Sequence, residues 1–125
     1  MAPLRDVFQG LARSGEELRA ENLRKWASTI PDAVPITKVQ PRQRCRVAGV
    51  VQNIRIDPRE GRGSIEATLI DGTGDLVAKW LGRQTLSGIR LGMGLVVEGI
   101  AGTGDQGELV ILNPEYLLVP GPEHG

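Results

Sequence analysis

Arg44 and Arg46 stand two residues apart, a spacing that places both side chains on one face of a β-strand. Arg55, Arg59 and Arg62 follow within a short span, and Lys79 and Arg83 flank Trp80. Cationic groups hold phosphate and an indole stacks on a base, so this set points to binding of a polyanion, nucleic acid above all. Between Lys38 and Arg62 the cations Lys38, Arg42, Arg44, Arg46, Arg55, Arg59 and Arg62 meet only Asp57 and Glu60. From Glu98 onward the carboxylates Glu98, Asp105, Glu108, Glu115 and Glu123 have no cation among them. The net charge of zero therefore conceals a positive stretch and a negative one. A merely solvated arginine face is the competing reading.

Other chemistry finds little support. The sole histidine, His124, lies one residue from the end of the sequence, and no Ser-His-Asp or Cys-His arrangement can be assembled. Cys45 is alone, which excludes a disulfide framework and a cysteine metal cluster, and its strand position suits an inert packed thiol. Asp71 and Asp75 bracket a glycine turn, but two carboxylates are too few for a calcium cage, and turn chemistry accounts for Asp71. The run Gly102, Thr103, Gly104, Asp105, Gln106, Gly107 matches G-x-G-x-x-G. A dinucleotide site needs a helix after it, whereas a strand pattern follows, so a hairpin loop is expected. No catalytic residue, metal or cofactor is expected.

The elements that must position the cations are mostly strands. In 44–57 the alternation sets Cys45, Val47, Gly49 and Val51 against Arg44, Arg46, Ala48, Val50 and Gln52. Gly49 in mid-strand suggests a sharp bend through which one strand serves two sheets. Further strand patterns occupy 64–70, 76–81, 95–101 and 108–112, the last continuing through 116–119. Glycine-rich turns punctuate them at Gly61 and Gly63, at Asp71–Gly74, at Gly92 and Gly94, and at Gly102–Gly107. The wide gap from Gly82 to Gly94 has room for one helical turn around Gln84–Leu86. The expected fold is mainly β, a five-stranded Greek-key OB-fold barrel over 42–119, with its usual helix reduced and a short tail at 120–125.

Ahead of the barrel, 1–30 form a helical arm. Leu4, Val7, Phe8 and Leu11 predict one short amphipathic helix ending near Gly15. Ser14 and Glu17 make a capping-box pattern for a second, whose apolar face is Leu18, Leu23, Trp26, Ala27 and Ile30, with Pro31 as its stop. The arm is expected to pack on the barrel as a lid, with a dimer or partner surface as the alternative. Pro31, Pro35 and Pro41 make 31–41 an extended linker.

Within the strands, regular alternation groups Trp80 with Leu76 and Ala78 as core, facing away from Lys79; only an irregular strand would make it a stacking platform. Tyr116 after Pro114 suits a plug at the barrel end. OB barrels bind oligonucleotides across strands two and three, between the loops joining strands one to two and four to five. The first of those loops is basic here and the second, with Asp105 and Glu108, is not.

The run Asp71–Gly74, then 76–80, then Val96 to Gly99, and finally Asn113, Pro114, Glu115 and Tyr116, resembles the wedge OB domain of RecG-type branch-migrating DNA helicases. It is more similar still to short stand-alone OB-fold nucleic acid binding domain proteins of actinobacteria. The resemblance spans about 36–119 and implies a nucleic-acid-binding accessory module. No phosphate loop of the form G-x-x-x-x-G-K-S/T occurs, so ATP-driven unwinding is not implied. The expected partner is single-stranded or structured DNA or RNA, held by Arg44, Arg46, Arg55, Arg59, Arg62, Lys79, Trp80 and Arg83. A protein partner or self-association through 1–30 is the alternative. With no secretory signal, no span of about 18 apolar residues and a single cysteine, a soluble cytoplasmic protein without membrane contact is expected.

Overall fold

The computed structural model describes residues 4–59, 62–83 and 86–122, without the side chains of 4–14 and 16. Its elements are α1 (Leu4–Ser28), a 3-10 turn (Ile36–Lys38) and six strands: β1 (Arg44–Asp57), β2 (Ser64–Ile70), β3 (Asp75–Leu81), β4 (Gly94–Thr103), β5 (Leu109–Leu112) and β6 (Glu115–Val119). The helical turn expected around Gln84–Leu86 falls partly on residues outside the described set, as do Gly61 and His124. No described helix is long and apolar enough to cross a membrane.

The strands close a five-membered ring, β1-β2-β3-β5-β4 and back to β1, in which β3 and β5 run parallel and every other pair is antiparallel. This is the OB-fold barrel. Val47, Val51, Leu69, Leu76, Leu95, Val97 and Ile111 fill its interior. One strand closes the ring because β1 is long enough to pair twice, through 44–50 with β4 and through 50–57 with β2. At the crossover a Cβ on Gly49 would lie 2.8 Å from the Leu69 Cβ and 3.1 Å from the Ile70 carbonyl oxygen, so only glycine allows that approach.

A β-bulge between Val51 and Asn53 then shifts the register. Before it Val47 and Val51 point inward; after it Ile54 packs on the core, and Asn53, Arg55 and Asp57 take the opposite face. Unbroken alternation would have placed Arg55 inward.

The fifth strand pattern is two strands. Asn113, at φ 50°, breaks it ahead of Pro114, so β5 pairs with 101–103 of β4 and β6 with 94–98. The break caps β3: Asn113 N–H donates to the Lys79 carbonyl at 2.6 Å and its Oδ1 accepts from Leu81 N–H at 2.9 Å.

Two further expectations are corrected. The arm is one helix, running through Gly15 without the positive φ that ends helices; an internal glycine costs only about 1 kcal/mol, against a costly second nucleation. It stops three residues short of Pro31, where Thr29 N–H bonds back to Trp26 O at 3.0 Å and the Ser28 and Thr29 hydroxyls cap the Lys25 and Trp26 carbonyls. The segment 31–41, in turn, is more than a linker: Ile36 is buried in the barrel core. Its N–H donates to Asp71 Oδ2 at 2.9 Å, while Asp71 Oδ1 accepts from Thr73 N–H, the Thr73 hydroxyl and Gly74 N–H. A buried carboxylate with four donors is satisfied, which gives Asp71 a structural role.

The C-terminal half of α1 lies on the barrel. Trp26 Nε1 donates to the Pro120 carbonyl at 2.9 Å, and Arg24 Nη1 to the Gly72 carbonyl at 3.1 Å. Gly72, at φ 86°, is in close approach to the Ala20 carbonyl.

Candidate nucleic-acid interface

The outer faces of β1, β2, β3 and β5 form cross-strand rows fixed by register. One row is Asn53, Thr68, Val77 and Val110; the next is Arg55, Glu66, Lys79 and Leu112. Above these rows the loop 104–108, with Arg42 and Ile100, raises the wall of a groove of about 760 Å³. An adjoining hollow of about 400 Å³, shared at Arg55, Glu66 and Lys79, runs on toward Asp57 and Pro58 at the start of the β1–β2 loop. The two together make a track from the β4–β5 loop across β2 and β3 to the β1–β2 loop.

The predicted cations divide between this track and other places. Arg55 and Lys79 stand on its floor; Arg55 has no ion pair among the described residues, and Lys79 Nζ lies 3.3 Å from Glu66 Oε1. Arg42 joins them through the backbone, because its N–H donates to the Ala101 carbonyl at 2.7 Å and so extends the β1–β4 ladder beyond Arg44. Arg62 and Arg83 are exposed, in the β1–β2 loop and after β3.

Arg44 and Arg46 are not part of the groove. They sit on the half of β1 paired with β4, where Glu98 is the direct partner of Arg46 in register. Arg44 Nη2 lies 2.9 Å from Glu98 Oε2 and 3.8 Å from Glu115 Oε1. Arg46 Nη1 lies 4.0 Å from Glu98 Oε1, and its Nε donates to the Pro31 carbonyl. Arg59 is held by Asp57, with Nη2 at 2.7 Å from Oδ2 and Nε at about 3 Å from both oxygens. These hydrogen bonds hold the Asp57 carboxyl below its usual value and raise Arg59. Among the described residues the cations that line the groove are Arg42, Arg55 and Lys79, with Lys79 sharing its charge with Glu66; Arg44, Arg46 and Arg59 lie off it against carboxylates, and Arg62 and Arg83 are outside its lining.

Trp80 is corrected as a stacking residue. It is 3% exposed, its Nε1 donates to the Pro114 carbonyl at 3.0 Å, and its ring meets Tyr116 edge-on at 5.5 Å. Among the described residues the groove thus has no aromatic platform. Its polar lining is instead Asn53, Glu66, Thr68, Thr103, Asp105, Gln106 and Glu108. Glu108 Oε1 accepts from Gln106 N–H at 3.0 Å, and Gly104 N–H donates to the Glu108 carbonyl at 2.7 Å, so Glu108 serves its own loop. Sequence reasoning missed Arg42 and the outward turn of Asn53; the available signal was the three-residue step from Val51 to Ile54, which a regular strand does not make.

Cys45 is partly buried, and burial followed by the nearby Glu98 carboxylate pushes its thiol up from its ordinary value. No three His, Cys, Asp or Glu side chains gather as a metal group among the described residues.

No protein-family model matches the sequence. No curated protein matches it. Among solved structures, the chain is similar to RecG bound to a three-way DNA junction, with a TM-score of 0.58 and 20% identity over 70% of this chain. It is also similar to a Replication Protein A heterotrimer bound to ssDNA, with a TM-score of 0.48 and 22% identity over 61% of this chain. The chain spans 12% of the length of the first and 57% of the second. The likeness to the RecG chain is one of fold.

Proposed function

We propose that this protein binds single-stranded nucleic acid, without catalysis, along the groove over β1, β2 and β3. The observation that carries the reading is the position of Arg55 and Lys79. Lys79 stands on β3, one of the two strands across which OB barrels bind oligonucleotides, and Arg55 on β1 beside β2, both on the floor of a groove walled by the β4–β5 loop. The fold likeness to a DNA-bound RecG chain, and the sequence resemblance to short OB-fold proteins of actinobacteria, are in keeping with it. With Arg42, Arg55 and Lys79 as the groove cations and no stacking platform among the described residues, affinity is modest, dominated by phosphate contacts, and suited to an accessory role in the cytoplasm.

The test is fluorescence anisotropy with a labelled oligonucleotide. The reading expects binding at about 50 mM salt that weakens on a log-log slope of about −2, near 0.7 for each of three phosphate contacts to a single strand. No salt-sensitive binding would remove it.

A second reading, a protein-interaction surface, is favoured by β6. Among the described residues it pairs with β4 alone, and Leu117 on it is 56% exposed. Concentration-dependent mass in light scattering, unaffected by oligonucleotide, would support that surface.

A further inference from the structure

Glu66 occupies the middle of the groove floor, between its register partners Arg55 and Lys79. Lys79 Nζ holds one of its oxygens, Oε1, at 3.3 Å, and the side chain is 27% exposed to the groove. The other oxygen has no partner among the described residues. An ionised carboxylate accepts hydrogen bonds and donates none, so no phosphate can sit over it. A strand whose phosphates meet Arg55 and Lys79 brings its donors to the carboxylate between them, and on a DNA strand those donors are the N–H groups of the bases.

We propose that Glu66 makes the groove selective for bases carrying adjacent donors, guanine foremost, and against thymine and uracil. This rests on the groove being a single-strand site. Guanine offers N1–H and the N2 amino group side by side on its pairing edge, a bidentate match to a carboxylate. Cytosine and adenine offer one amino group beside an acceptor. Thymine and uracil offer a single N–H between two carbonyl oxygens, which the carboxylate repels. No aromatic ring among the described residues lines the groove to compensate by stacking, so hydrogen bonding to the base edge decides the preference.

The experiment compares a labelled all-dT oligonucleotide with one of equal length carrying dG at its three central positions, against the full chain and the E66Q variant. The wild-type chain should bind the dG oligonucleotide roughly tenfold more tightly, the scale of one good base contact. E66Q should bind all-dT more tightly than wild type, because an anion between two cations is gone, and the dG advantage should fall to near unity. Binding of both oligonucleotides with equal affinity by the wild-type chain, or an advantage that survives in E66Q, overturns the selectivity and leaves the groove reading intact. Binding of neither overturns both. Circular dichroism of E66Q separates a changed site from a changed fold.

Discussion

Trp80 Nε1 and the Pro114 carbonyl meet at 3.0 Å inside the barrel wall, joining the end of β3 to the break between β5 and β6. The bond turns the residue best suited to stacking a base into a structural tie. Replacing Trp80 with Phe keeps most of the ring but orphans a buried carbonyl, a loss of about 1–3 kcal/mol. Trp80→Ala adds a cavity and should cost about 3–5 kcal/mol. Urea denaturation checks both, and oligonucleotide affinity of folded W80F should stay within twofold of wild type.

Two pairs of cations separate the groove from the rest of the surface. Arg55→Ala with Lys79→Ala should reduce the salt slope by about 1.4, two phosphate contacts at 0.7 each. Arg44→Ala with Arg46→Ala should leave the slope unchanged, because both lie outside the groove and face Glu98 and Glu115. The Arg44 pair is largely exposed, so its removal alone should change stability by about 0.2–1 kcal/mol. Anisotropy at several salt concentrations and thermal unfolding measure these.

Asp71 closes the barrel onto the segment that precedes it. Asp71→Ala removes the acceptor for Ile36 N–H, Thr73 N–H and Gly74 N–H and should destabilise by about 1–3 kcal/mol for the buried Ile36 donor, with a smaller loss at the two part-buried ones. Asp71→Asn, with one carbonyl oxygen left, should cost less. Chemical denaturation in metal-free buffer checks the order; a stability that depends on added calcium would contradict the structural role.

The thiol of Cys45 carries a pH dependence with a defined sign. Its folded value lies above the ordinary 9.0, through burial first and Glu98 second, so the folded state favours the neutral thiol. As pH rises past about 9 the unfolded chain ionises first and stability falls, while below that the raised value has no effect. Alkylation is carried by the thiolate, so the midpoint of its pH–rate profile should lie higher for folded protein than for protein in urea. Glu98→Gln should lower the folded midpoint. A folded midpoint at or below the unfolded one would contradict the burial.

The barrel was legible because period-two alternation and glycine turns are local signals. The span 64–70 matches β2 throughout, and Gly49 marked the bend that the close approach of Leu69 requires. The sites of the cations were less legible. Whether Arg44 meets water or Glu98 depends on which strand lies alongside, a pairing made across more than fifty residues. The facing of Arg55 turns on a single bulged residue, and periodicity carries no information beyond such a bulge. Gly15 misled for a related reason: glycine permits a helix end but does not impose one. The residues 113–114 read as a stretch over which the fifth strand continues, yet their role, capping β3 and receiving Trp80, exists only once β3 and β5 are parallel neighbours.

The central claim is that nucleic acid lies in the groove over β1, β2 and β3. Chemical-shift mapping of the labelled protein with an unlabelled single-stranded oligonucleotide tests it residue by residue. The account predicts shifts concentrated at the amides of Asn53, Arg55, Thr68, Lys79 and Thr103–Gly107, with little change at Arg44, Arg46 and Leu117. Shifts clustered on the Arg44–Glu98 side or along β6, with the groove amides unmoved, would contradict it.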